Sequence, residues 1–166
     1  MILSDNHVFF WKSSFSNWYR SIFEAEVEGE MLTFYNSEQY FMYIKALTFK
    51  DYDTAKKILK HGSNPKIAKD LGREVKNYDD AVWNEKRYQV MLDANMLKYS
   101  QNEELKNLLL SPKFEGKHYV ESSPYDRIWG IGCSEREALD DGSNWNGQNL
   151  LGKVLDEVRE KLKEKN

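Results

Sequence analysis

Residues 37–49, SEQYFMYIKALTF, place apolar side chains on every side of a helical wheel. At about 100° per residue, Phe41, Met42 and Phe49 share one face with Glu38 and Lys45. Tyr40, Tyr43, Ile44 and Leu47 cover the opposite side. The pattern predicts a buried helix, with Ser37 as its N-cap. Within it Glu38 and Lys45 are anomalous, because a charge removed from water is costly unless something pairs with it. Lying on one stripe with Cα atoms about 10 Å apart, they can lean toward a common point. A structural ion pair, or two side chains snorkelling to a helix edge, explains the pattern equally well.

The remaining periodicity predicts the other elements. Val8 to Trp11 is a short apolar strand. Ile22 to Val27 alternates apolar residues with Glu24, Glu26 and Glu28, a half-exposed strand; after the turn Glu28-Gly29-Glu30, Met31 to Tyr35 returns as its hairpin partner. Helices are predicted from Asp51 to His61, closed by Gly62, and from Pro65 to Leu71, where Ser63-Asn64-Pro65 supplies a cap and a proline at the first position. A long helix is expected from Asp79 toward Tyr99, then one from Asn102 to Leu110, with Trp83 and Arg87 read as core or supporting residues. Tyr119 to Ser123 reads as a strand. Residues 133–146 read as a surface insertion, and Gly147 to Gly152 opens a last helix whose stripe is Leu150, Leu151, Val154, Leu155, Val158 and Leu162.

Length narrows the organisation: 166 residues predict one domain, 1–166, with room for a proper core. A net charge of −3 carries no basic footprint for gripping DNA phosphates, which argues against a sequence-reading DNA binder but not against an enzyme that touches one nucleotide. Five Trp and ten Tyr exceed what packing requires and suit a ligand groove, although an aromatic core is the simpler explanation. Cys133 is the one cysteine, so no internal disulfide can form and a reducing compartment fits. His7, His61 and His118 show no ligand spacing, so no metal and no cofactor is expected. Neither a signal peptide nor an apolar run of about 18 residues is present, which predicts a cytoplasmic chain without a membrane partner.

Three stretches carry candidate chemistry. In the loop 13–19, Asn17 offers a donor and an acceptor beside the stacking surfaces of Phe15, Trp18 and Tyr19, or simply makes an Asx turn. In 124–132, Asp126 and Trp129 stand beside Gly130 and Gly132, where a ligand can approach the main chain, or where a turn merely fixes Trp129. At the start of the last helix, the first N–H groups with Gln148 and Asn149 can hold a phosphate, although ordinary capping is the better reading.

Together the blocks Phe15-Ser16-Asn17-Trp18-Tyr19, Ser37 to Met42 with Lys45-Ala46, Tyr125 to Gly132, and Gly147 to Gly152 with Val158-Arg159 resemble the NADAR, or YbiA-like, family over roughly residues 8–162. Leu71-Gly72-Arg73 and Trp83 to Arg87 fit as well, while the stretch between Gly132 and Gly147 is longer than in compact bacterial members. The resemblance implies an α+β fold, predominantly helical with a small antiparallel sheet, and N-glycosidase chemistry without a metal. It implies two substrate kinds: ADP-ribose on a nucleobase, especially guanine in DNA or RNA, and the ribosylamino-pyrimidine phosphate of riboflavin synthesis. For the first kind, a cognate ADP-ribosyltransferase toxin is the expected partner.

On that resemblance the catalytic set is Lys45, Glu38 and Asp126. Lys45 attacks C1 of the opened sugar, Glu38 moves protons, and Asp126 orients hydroxyls or serves as a second acid or base. Trp18 and Trp129 sandwich the base or adenine, with Tyr19 beside them. Asn17, Asn149, Arg73 and the start of the last helix hold hydroxyls and phosphates. Direct attack of water, aided by Glu38 and Asp126, is the competing mechanism. The rival class is a module that binds ADP-ribose without cleaving it.

Overall fold

The predicted central helix forms. In the computed structural model, which describes residues 1–165, it spans Ser37–Thr48 and none of its residues is exposed. Asn166, the end of the predicted domain, lies outside the described residues. In chain order the elements begin with strands β1 (Ile2–Leu3), β2 (His7–Phe10), β3 (Phe23–Val27) and β4 (Glu30–Phe34). Helices α1 (Ser37–Thr48), α2 (Tyr52–His61), α3 (Pro65–Gly72), α4 (Asp80–Ser100) and α5 (Glu103–Leu109) follow. A single 3-10 turn at Pro112–Phe114, strand β5 (His118–Glu121) and helix α6 (Leu150–Glu164) complete the chain.

These elements divide into two compact units, one of residues 17–102 and one of residues 1–16 with 103 onward. In the first, β3 and β4 pair antiparallel with Phe23 opposite Phe34 and Ala25 opposite Leu32. The alternation that predicted this hairpin turns Phe23, Ala25 and Phe34 inward, against Tyr40 of α1 and Ala94 of α4. On another side of α1, the Phe41 ring lies 5.0 Å from that of Trp83, and Phe49 meets Tyr78 and Trp83, which makes Trp83 a core residue.

Two buried amides fasten α1 within this unit. Asn36, not Ser37, is the N-cap: its side chain accepts from Gln39 N at 2.7 Å and donates to the carbonyls of Gly62 and Ser63. Ser37 is the first helical residue, and its hydroxyl is buried without a hydrogen-bond partner among the described residues. Gln39 accepts from Tyr35 N at 2.8 Å and donates to the Ile58 and Leu59 carbonyls, joining the hairpin end to α2.

In the second unit β2 is central, antiparallel to β1 and parallel to β5, so this small sheet is mixed where the β3–β4 hairpin is purely antiparallel. Helix α6 packs on β5 through Gly152, where a Cβ would stand 2.0 Å from the Tyr119 carbonyl oxygen. Phe10, Phe15, Phe114 and Tyr119 form an edge-to-face cluster, and the Tyr119 hydroxyl donates to the Leu109 carbonyl at 2.6 Å. The segment 133–146 is more than a surface insertion. Asp140 accepts from the Ser4 hydroxyl and from Asn6 at 2.9 Å, and its Oδ1 lies 2.7 Å from His7 Nδ1, while the Trp145 ring packs on His7 and Phe9.

Candidate active site

In the unit of residues 17–102, the structure gathers Glu38, Lys45, Arg73 and the Asn17–Tyr19 loop around α1. Glu38, in the first turn, is 8% exposed, and its N–H donates to the Asn17 carbonyl at 3.1 Å. Asn17 is itself buried, and its Oδ1 accepts from Asn95 of α4 at 3.4 Å. The loop is thus fixed at its root while Trp18 and Tyr19 stand 43% and 45% exposed. Lys69 Nζ lies 5.9 Å from the Trp18 ring.

Lys45 is half-buried. Its Nζ donates to the Gly72 carbonyl at the end of α3, at 2.9 Å, and sits 4.7 Å from the centre of the Tyr78 ring. Burial pushes its pKa below the usual lysine value; the charge of Glu38 pulls it back up, and that of Arg73 lowers it further. Arg73 caps α3 on an exposed position, with Nη1 3.7 Å from Asp70 Oδ1.

In the other unit, Asp126, Trp129, Gly130, Gly132 and Asn149 are held together by backbone bonds. Asp126 Oδ1 accepts from Ile128 N at 2.9 Å and Trp129 N at 2.8 Å, so one carboxylate oxygen shapes the loop that presents the half-buried Trp129. The two glycines serve chain packing: a Cβ on Gly130 would come 2.8 Å from the Glu121 carbonyl oxygen, and one on Gly132 would come 2.6 Å from that of Asn146. Gly132 also holds φ at +64°, a conformation costly for other residues.

The start of the last helix follows the ordinary capping that its sequence favoured over phosphate holding. Its first N–H groups are already bonded: Leu150 N donates to the Ile128 carbonyl at 3.1 Å and Leu151 N to that of Trp129 at 3.1 Å. Before them, Gln148 N and Asn149 N donate to the carbonyls of Arg127 and Gly130. The loop caps the helix, so those donors do not face a ligand. Asn149 is similarly engaged, accepting from Glu121 N and donating to the Tyr119 carbonyl, both at 3.0 Å, which makes its amide a bracket on β5. The Gln148 side chain is exposed.

One residue escaped the sequence reading. Lys98 of α4 is wholly buried, and that burial lowers its pKa to about 7. Its nitrogen is 5.8 Å from the Tyr19 ring and 5.0 Å from the Tyr99 ring. The available signal was a lysine at an inward position of an amphipathic helix, one residue before Tyr99. Among the described residues no group of three or more His, Cys, Asp or Glu side chains is placed to hold a metal ion, and no helix is long and apolar enough to cross a membrane.

With this geometry in view, comparison with known proteins is decisive. The NADAR domain model matches residues 9–163. The chain belongs to the NADAR family. Among its NADAR relatives, N-glycosidase R617 of Acanthamoeba polyphaga mimivirus is 39% identical over 167 residues, covering 95% of this chain and 96% of that protein. Protein irg-1 of Caenorhabditis elegans is 43% identical over 161 residues, 89% of this chain and 74% of that one. N-glycosidase YbiA of Escherichia coli K12 is 30% identical over 166 residues, 97% and 91% of the two chains. The NMR structure of E. coli YbiA superposes with a TM-score of 0.75 at 30% identity, covering 99% of this chain and 89% of that one. The fold is accordingly the expected α+β arrangement, mainly helical with small sheets.

Proposed function

We propose that this chain cleaves the bond between ribose C1 and a nucleobase or amine nitrogen, with Lys45 as nucleophile and Glu38 as proton shuttle. NADAR membership, with relatives named N-glycosidase matching nearly the whole chain, makes it an N-glycosidase enzyme. The observation that supports the mechanistic part best is the half-buried Lys45 amine, with its pKa lowered, on the same helix as a nearly inaccessible Glu38. A lysine becomes a useful nucleophile when desolvation favours its neutral form.

In this scheme the glycosylamine opens to the imine between C1 and the base nitrogen. The neutral Lys45 amine adds to C1, and the C1–N bond to the base breaks as that nitrogen takes a proton from Glu38. The resulting Lys45–C1 imine adds water, whose proton returns to Glu38, and collapses to the free sugar aldehyde and the amine. A second reading has Glu38 aid direct attack of water, without a covalent step. What favours it is the bond from Lys45 to the Gly72 carbonyl, because the negative end of α3 stabilises an ammonium there.

The substrate proposed is ADP-ribose on guanine in nucleic acid or, equally, a ribosylamino-pyrimidine phosphate. Exposed Trp18 and Tyr19 support a stacked base, and Arg73 is the predicted phosphate-holding group whose side chain stands exposed. With the first substrate, the chain acts in the cytoplasm as antitoxin to an ADP-ribosyltransferase. The test is release of ADP-ribose from an ADP-ribosylated oligonucleotide, leaving unmodified guanine in the strand, and, separately, of the amine from the pyrimidine nucleotide, by wild type and Lys45→Ala. Release from one substrate, lost in the variant, is expected. Tight ADP-ribose binding with no release from either substrate would make the chain a binding module.

A further inference from the structure

Position 98 is an unusual place for a lysine. The side chain is 0% exposed, and a methionine of similar reach would fill the same space without desolvating an amine. A lysine buried this fully is a candidate functional position. The surroundings of Lys98 say which function. Asn95, one turn earlier on α4, donates to Asn17 Oδ1 at 3.4 Å and to the Met91 carbonyl at 2.9 Å. Lys98 follows three residues on and sits under the Tyr19 ring. The Lys98 carbonyl accepts from Asn102 at 2.7 Å, and Asn102 also donates to the Ile22 carbonyl at 3.2 Å. Gln101 then pairs with both backbone groups of Glu24, at 2.9 and 2.7 Å. The end of α4 thereby clamps the chain from residue 17 to residue 24, and the root of that segment bonds the Glu38 amide.

We propose that Lys98 is a positioning residue for the Asn17–Tyr19 loop, its amine and Asn95 together holding the loop so that Asn17, Trp18 and Tyr19 present themselves to the nucleotide. The proposal rests on the reading of that loop as ligand-binding. It assigns Lys98 no contact with the reacting atoms: losing it weakens substrate capture and leaves the chemical step in place.

The test compares wild type with Lys98→Met by hydrogen exchange and by steady-state kinetics. Without substrate, exchange is expected to rise about tenfold at the amides of Trp18, Tyr19 and Glu38 and to stay unchanged in α2 and α3. With substrate, KM is expected to rise about tenfold while kcat stays within about twofold. A purely structural lysine would move neither the loop amides selectively nor KM apart from kcat. Should Lys98→Met fail to fold, the exposed partner carries the test: Tyr19→Leu must raise exchange at Glu38. Unchanged loop exchange, or a fall in kcat at constant KM, overturns the proposal. Because exchange is read without substrate, an inactive wild type with a loosened loop in Lys98→Met refutes only the N-glycosidase reading; an active wild type whose loop ignores the variant refutes this one.

Discussion

Gly152→Ala sets two effects of opposite sign against each other. In the first turn of α6, alanine is favoured over glycine by at most about 1 kcal/mol of helix propensity. Against that, the new Cβ would lie 2.0 Å from the Tyr119 carbonyl oxygen and 2.3 and 2.6 Å from the Asn149 amide atoms. The first neighbour is backbone of β5 and cannot swing away, so helix and strand must separate by more than about 1 Å; overpacking of this kind costs about 1–3 kcal/mol. Separation also strains the two bonds from Asn149 to β5, each contributing about 0.5–1.5 kcal/mol net. After subtracting the propensity gain, a loss of about 1–5 kcal/mol remains, a large part of a typical total of about 5–15 kcal/mol. The thermal midpoint, followed by far-ultraviolet circular dichroism, should fall by about 2–20 °C. A midpoint equal to or above that of wild type would mean that propensity governs the site and that α6 does not meet β5 as closely as described.

Asn36→Ala removes the α1 cap and the donors to Gly62 and Ser63 together; about 2–3 kcal/mol of stability should disappear in urea titration, and a loss below about 0.5 kcal/mol would refute the capping role. Asp140 has its pKa lowered from the usual carboxylate value to about 2, chiefly by the hydrogen bonds from Ser4 and His7. Because the folded pKa is the lower one, the stability linked to this tether is present above about pH 4 and lost as pH falls toward about 2. Asp140→Asn should therefore be less stable than wild type near pH 6 and flatter between about pH 4 and pH 2, which urea midpoints across that window would show. Parallel curves for the two proteins would contradict the assignment.

Local rules made the hairpin and the helices legible. The alternation of Phe23, Ala25 and Val27 with glutamates, and Asn64-Pro65 ahead of α3, each left one reading open. Adjacent capping residues were harder: Asn36 and Ser37 are both good caps, and the choice falls to Asn36 because its amide also reaches the Gly62 and Ser63 carbonyls, a contact far along the chain. The parallel pairing of β2 with β5 was hidden for the same reason, since His7 and His118 meet only through the tertiary fold. Residues 133–146 read as a surface insertion because the partners of Asp140 lie at Ser4, Asn6 and His7. At the site, Glu38 and Lys45 stood out as charges in an apolar helix. Lys98 did not, because a lysine near a helix C-terminus is ordinarily a solvated end, and only its burial distinguishes it. Asn149 and the start of α6 looked like ligand groups because sequence displays their donors but not the carbonyls that engage them.

The central claim is that the Lys45 amine bonds to the sugar. It is tested most directly by borohydride reduction during turnover, followed by peptide mass spectrometry. The account predicts a reduced sugar adduct on Lys45 in wild type and none in Lys45→Ala, with cleavage of the C1–N bond lost in that variant. Cleavage at the wild-type rate by Lys45→Ala, with no adduct on Lys45 in the wild type, would contradict it and leave the glycosidic bond to water and Glu38.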